Sequence, residues 1–318
     1  MTSHNIIFKQ RLRWSLGLRE GFRRSISTDN PFGVREYENV IRKWRKTLKN
    51  QRRDDTLKKH FKDEKLQETL RIFIQDIRAI FGDKLTSVYI YGSSLHNDLS
   101  PGYGDLDFLV LLSENISMEE ITRLNEQRVI YRNVLVDLYT DMLEGAFLPY
   151  KLIFGEQGRA LWWGTRGERM WEKNQLDTFT MYSIKKQGLL IYGDLQEHIF
   201  PEITKEEIKG FLIEFSLCMK EHGKGGSLHS IDWLLLAAKF IGWLREEIIF
   251  SKSQAADWGL RHITSDWKEH LLKCKELRKE PMEADSQEYT EWLNKLDSVI
   301  IEASKDLDRE IEEGANIL

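Results

Sequence analysis

SVYIYGSSLHNDLSPGYGDLDFLVLL, residues 87–112, is the stretch on which the fold of this chain turns. Ser87–Tyr91 is a short run of β-branched and aromatic residues and reads as a buried strand. Gly92 to Gly104 is rich in Gly, Ser, Asn and Pro, the composition of a loop. Asp105–Leu112 then opens a second strand. Side chains two apart on a strand share a face, so Asp105 and Asp107 point together while Leu106 and Phe108 turn to the core. Upstream, Leu66, Leu70, Ile72, Phe73, Ile77 and Ile80 recur at helical spacing until Gly82. Downstream, Met118–Val129 predicts a helix and Val134–Tyr139 (VLVDLY) a third strand. Beyond about Phe147 the pattern is nearly all helical, with long segments near 205–221, 231–249, 252–262 and 287–313. The expected architecture is an α/β head, with a small mixed sheet and helices, followed by a mostly α-helical C-terminal domain. The expected divisions are a basic N-terminal extension at 1–65, the head at 66–165 and the helical domain at 166–318.

Length and composition agree with that division. A chain of 318 residues with 41% apolar and 31% charged residues has the make-up of a two-domain globular protein, which excludes a largely disordered one. No apolar run approaches the roughly 20 residues of a helical membrane span, so no membrane partner is expected. The N-terminus has no apolar core resembling a secretory signal. Two cysteines, Cys218 and Cys274, are too few for a disulfide framework or a cysteine metal site. A reduced, cytoplasmic location is the expectation. The net charge of −4 conceals an asymmetry: residues 1–60 carry 16 Lys+Arg against 6 Asp+Glu, and the rest carries 31 against 45. The acidic body argues against nucleic acid as its partner. The basic arm leaves that partner open for itself, although packing on its own acidic body is the plainer expectation.

The chemistry concentrates at Gly92-Ser93, Asp105-Leu106-Asp107 and Asp137. Two adjacent carboxylates repel unless a cation lies between or beside them. A divalent metal resolves that conflict, and Mg²⁺ suits carboxylates joined by phosphate oxygens. Asp137 stands inside an apolar run, where a carboxylate is costly unless it meets a metal or a hydrogen-bond donor. If the third strand lies beside the second, the three carboxylates converge on one edge. Gly92 permits close backbone approach, and Ser93 can donate to a phosphate oxygen.

This constellation resembles the head of the polymerase-β-type nucleotidyltransferase superfamily. The resemblance continues through Phe154-Gly155-Glu156, Leu189-Leu190-Ile191-Tyr192-Gly193, Lys239 and Lys252-Ser253-Gln254-Ala255-Ala256-Asp257-Trp258. Their order is similar to that of streptomycin/spectinomycin (aminoglycoside) adenylyltransferases and covers residues 85–280. It implies a Mg²⁺-dependent enzyme that transfers AMP from ATP to a hydroxyl of a small molecule, with an aminoglycoside-type antibiotic as the expected acceptor. Asp105, Asp107 and Asp137 would be catalytic and metal-holding. Gly92, Ser93, Asp177, Lys239 and Lys252 would bind the nucleotide. The alternatives are a nucleotidyltransferase modifying a protein or RNA, and a non-catalytic nucleotide-binding module. This chain departs from the family at Gly104, where Ser is usual, at Asp137, where Glu is common, and at Gln157 and Arg278, where aromatic drug and adenine neighbours would stand.

Overall fold

The computed structural model describes residues 54–135, 138–164, 167–193 and 199–313; the basic arm before residue 54 lies outside them. A short helix α1 (Asp54–His60) leads into α2 (Glu64–Phe81). Asp63 starts α2 by accepting the amides of Lys65 at 2.8 Å and Leu66 at 3.2 Å, which satisfies two of the amides a helix start leaves unpaired. The sheet follows with β1 (Leu85–Ile90), β2 (Leu106–Leu112), helix α3 (Met118–Asn133), β3 (Leu143–Pro149), β4 (Ala160–Gly164), β5 (Gly167–Trp171), helix α4 (Thr178–Gln187) and β6 (Leu189–Gly193). The strand order is β5-β4-β3-β2-β1-β6. Only β2 and β3 run parallel; the other neighbours are antiparallel. A parallel pair needs a crossover, and α3 supplies it.

Alternation along the strands divides the head core between two faces. Val88, Ile90, Phe108, Val110, Phe147 and Trp163 pack with residues of α2 and α3. Tyr89, Tyr91, Leu109, Leu111, Ala146 and Trp162 pack on the opposite face with Ile184 of α4. The C-terminal body consists of α5 (Lys205–His222), α6 (Ile231–Glu246), α7 (Lys252–His262), α8 (His270–Lys279), α9 (Gln287–Leu293) and α10 (Leu296–Glu313). Phe215, Trp233, Leu234, Trp258, Leu271 and Ile300 form its core. No helix among the described residues is long and apolar enough to cross a membrane. The fold is therefore an α/β head with a mixed sheet, joined to a mostly α-helical C-terminal domain.

Two expectations need correction. The strand expected at 134–139 is not formed by its described residues, 134, 135, 138 and 139, which make a turn and the start of a 3-10 segment, Tyr139–Met142. Thr140 Oγ1 donates to the carbonyls of Tyr131 and Leu135 at 3.0 and 3.1 Å, and the Tyr139 amide donates to Thr69 Oγ1 at 3.1 Å. These bonds hold the described ends of the run in a turn. The true third strand, LEGAFLP, carries a Glu, a Gly and a Pro that disguise it. Gly145 is needed there because a Cβ would lie 1.9 Å from the Phe108 carbonyl oxygen. The domain division expected at 165/166 also falls between β4 and β5, which pair with each other. The sheet continues to Gly193, so the helical domain begins beyond it.

A buried acid under the sheet of the head, Asp76, makes stability depend on pH. Asp76 of α2 is 4% exposed and accepts a hydrogen bond from the Tyr131 hydroxyl at 2.6 Å. Burial pushes its carboxyl up to about 7 from 3.8, against the opposing effect of the Tyr131 bond. The folded state thus binds this proton more tightly than the unfolded state. Its contribution is fully present below about pH 4 and is lost as pH rises through about 7. Asp76→Asn keeps an acceptor for Tyr131 without the charge. It is expected to raise the melting temperature by about 3–6 °C at pH 8 and by less at pH 5. Calorimetric scans at the two pH values check this, and an equal shift at both refutes it.

Candidate active site

The edge of the head is built around Gly92. The chain leaves β1, and Gly92 adopts φ +78° at the start of a 3-10 turn, Gly92–His96. A Cβ on Gly92 would lie 2.2 Å from Asp107 Oδ2, and with the positive φ this close approach to the carboxylate favours glycine. The Tyr91 amide donates to the Asp107 carbonyl at 3.1 Å, tying the turn to β2. Ser93 stands half-exposed in the same turn, and its carbonyl accepts the Asp98 amide at 3.1 Å. Asp105 immediately precedes β2 and Asp107 is its second residue.

The carboxylate beside them is Glu144. Parallel pairing of β2 with β3 sets Asp107 opposite Glu144. The Asp105 carboxyl is held well above its usual range by burial and by repulsion from Glu144 and Asp107, while Lys252 pulls the other way. Asp137 lies outside the described residues. The strand beside Asp107 begins at Leu143, and the sequence reading missed Glu144 because it placed the third strand too early. The close-approach glycine that follows it, Gly145, was the available signal.

The helical domain brings cations to the same edge. Burial pushes the Lys239 ammonium down to about 8, as do Lys252 and Arg278, while Asp107 and Asp177 oppose the shift. Lys239 lies 5.3 Å from the ring centroid of Phe179 and beside His96, whose imidazole is held below its usual range by burial and by that lysine. Lys252 begins α7 and forms an ion pair with Asp232 of α6. Burial would raise the Asp232 carboxyl, but Lys252 and His229 together hold it low. Asp177 caps α4, accepting the amide and hydroxyl of Thr180 at 2.7 and 2.8 Å. Its geometry explains a helix start, with a longer-range attraction to Lys239.

Among the described residues, no three His, Cys, Asp or Glu side chains gather closely enough to hold a metal ion by themselves. The pair Asp105 and Asp107, with Glu144 adjoining, nonetheless fits a hard divalent cation completed by a ligand's own oxygens. The mutual repulsion that raises the Asp105 carboxyl is what such a cation would remove. The arrangement offers anionic oxygens on the head, ammonium groups on the helical domain, and a glycine turn where a polyanion can approach backbone.

Comparisons with known proteins bear on the fold and on the helical domain. Residues 200–302 match the family model described as aminoglycoside adenylyltransferase, C-terminal domain. Among solved structures, the spectinomycin adenyltransferase AAD(9) from Enterococcus faecialis, solved with ATP and spectinomycin, is similar with a TM-score of 0.57 at 16% identity. The match covers 76% of this chain and 98% of that one. A search of curated protein sequences finds no match. In its fold, and in its sequence over the helical domain, the chain resembles the aminoglycoside adenylyltransferases.

Proposed function

We propose that the protein is an adenylyltransferase that transfers AMP from ATP to a hydroxyl of an aminoglycoside-type molecule. The observation that carries this reading is the meeting of Asp105, Asp107 and Glu144 on the head with Lys239 and Lys252 from the helical domain. Bound Mg²⁺, held by Asp105 and Asp107, would neutralise charge on the triphosphate. Lys239 and Lys252 bind phosphate oxygens from the opposite side, and the turn at Gly92 and Ser93 admits the phosphates to the sheet edge. Lys252 exchanges its contact with Asp232 for one with phosphate. The acceptor oxygen attacks the α-phosphorus, the bond to the bridging oxygen breaks, and pyrophosphate leaves. Glu144 takes the proton of the attacking hydroxyl. Holding these groups in line supplies much of the rate.

The test is incubation with ATP, Mg²⁺ and a panel of hydroxylated antibiotics, followed by mass spectrometry. A mass gain of one AMP on at least one aminoglycoside-type member, with release of pyrophosphate, is the expected result. No adenylylated product from any member overturns the reading. In the same material, Lys252→Ala is expected to weaken ATP binding about tenfold or more, because its charge is partly desolvated. Calorimetric titration with ATP measures this, and an unchanged affinity removes Lys252 from the nucleotide site.

A further inference from the structure

The loop between Gly92 and Asp105 belongs to the head in sequence but is anchored in the helical domain. Its Asp98 accepts two hydrogen bonds from Arg278 Nη1, at 2.9 and 3.1 Å, and its carbonyl accepts Arg278 Nη2 at 3.2 Å. Arg278, on α8, is only 1% exposed. The same Nη1 donates to Ser253 Oγ at 2.7 Å, and the Ser253 amide donates to Asp98 Oδ2 at 2.9 Å. Asp98 therefore lies at the amino end of α7, one residue from Lys252, where the helix dipole favours a negative group. Burial would raise its carboxyl, but Arg278 and Ser253 hold it below the usual range.

A second anchor lies five residues on. Tyr103 packs within the core of the helical domain. Lys252 and Arg278 both stand over its ring, 5.5 and 5.7 Å from the centroid, and His229 stacks on it at 5.7 Å. Cations over an aromatic face are attracted to it, more strongly when desolvated. Between the anchors the loop closes on itself, with the amides of Tyr103 and Gly104 donating to the Ser100 carbonyl at 3.0 and 2.7 Å. Both ends of this segment adjoin the proposed chemistry: Gly92 and Ser93 before it, Asp105 immediately after it.

We infer that Arg278 is a positioning residue: through Asp98 and Tyr103 it fixes the loop that carries Ser93 and Asp105 against the start of α7. The latch sets the head carboxylates in register with Lys252. It acts on ATP through other groups and touches no reacting atom. This role rests on the proposed function for its ATP readout, whereas the anchoring of the loop stands independently.

The test compares full-length wild type with Arg278→Met, Arg278→Lys and the double variant Asp98→Asn/Arg278→Met. Removing only the arginine leaves a buried carboxylate unpaired. The double variant guards against simple unfolding, because replacing both members of a buried pair is often neutral for stability. Hydrogen exchange at the amides of Asp98, Tyr103, Gly104 and Ser253 is expected to accelerate about tenfold or more in all three variants, with β2 unchanged. ATP affinity in the presence of Mg²⁺ is expected to fall about tenfold or more in the folded double variant. Arg278→Lys is expected to behave like Arg278→Met, because an ammonium cannot reproduce the guanidinium fork. Unchanged loop exchange in the folded double variant overturns the latch. Accelerated exchange with wild-type ATP affinity overturns the positioning role. Rescue by Lys overturns the requirement for the fork. Wild-type protein that binds no ATP overturns the proposed function instead, and loop exchange still decides the latch.

Discussion

Asp105→Asn and Asp107→Asn are each expected to lower AMP transfer by about a thousandfold or more while leaving the protein folded. Each substitution removes one negative oxygen from a group that would hold Mg²⁺ and leaves triphosphate charge without its counterpart. The fold survives for a reason visible in the structure. The Asp105 carboxyl is raised by burial and by its neighbours Glu144 and Asp107, so a neutral amide at 105 relieves more repulsion than the attraction to Lys252 it gives up. For Asp105→Asn a melting temperature equal to or above that of the wild type in metal-free buffer is therefore expected beside the lost turnover. Steady-state assays and melting curves on the same preparations check both halves. A folded variant with near-normal turnover removes the carboxylate pair from the chemistry.

Glu144→Gln is expected to slow transfer by about a hundredfold to ten-thousandfold with little change in ATP affinity, as loss of a general base does. The amide keeps the size and hydrogen-bonding oxygen of Glu144 but cannot take the acceptor proton. Asp137→Asn is the paired control, because Asp137 was the residue expected to fill this place. If Asp137→Asn abolishes transfer and Glu144→Gln does not, the base is Asp137. Single-turnover rates with saturating ATP separate the chemical step from binding.

The difference between these two residues shows what was legible in the sequence. Asp105 and Asp107 could be identified because the Gly92–Gly104 loop and the apolar run from Leu106 are local signals, and strand alternation then assigns the face. Lys239 and Lys252 were picked out by the resemblance, and α7 begins at Lys252 as expected. The acid that pairs opposite Asp107, Glu144, was not legible. Val134-Leu135-Val136-Asp137-Leu138-Tyr139 has the composition of a strand, yet its described residues turn because Thr140, Tyr139 and Thr69 satisfy the backbone there. The real strand breaks composition rules at Gly145, where the Phe108 carbonyl leaves no room for a side chain. Strands β4, β5 and β6 were also hidden in a region whose pattern is otherwise helical.

By itself the sequence determined the α/β head, the helical body, the paired aspartates and the resemblance to nucleotidyltransferases, because periodicity, loop composition and short motifs act over a few residues. Tertiary structure alone decided which acid stands beside Asp107, how far the sheet extends and what anchors the loop before Asp105. Arg278 meets Asp98 across 180 residues of chain, and Glu144 meets Asp107 only after α3 has carried the chain back alongside β2. Neither partner carries a local mark of the other. Their pairing follows from burial, which makes an unpaired charge costly and a paired one tolerable, and burial is a property of the folded chain.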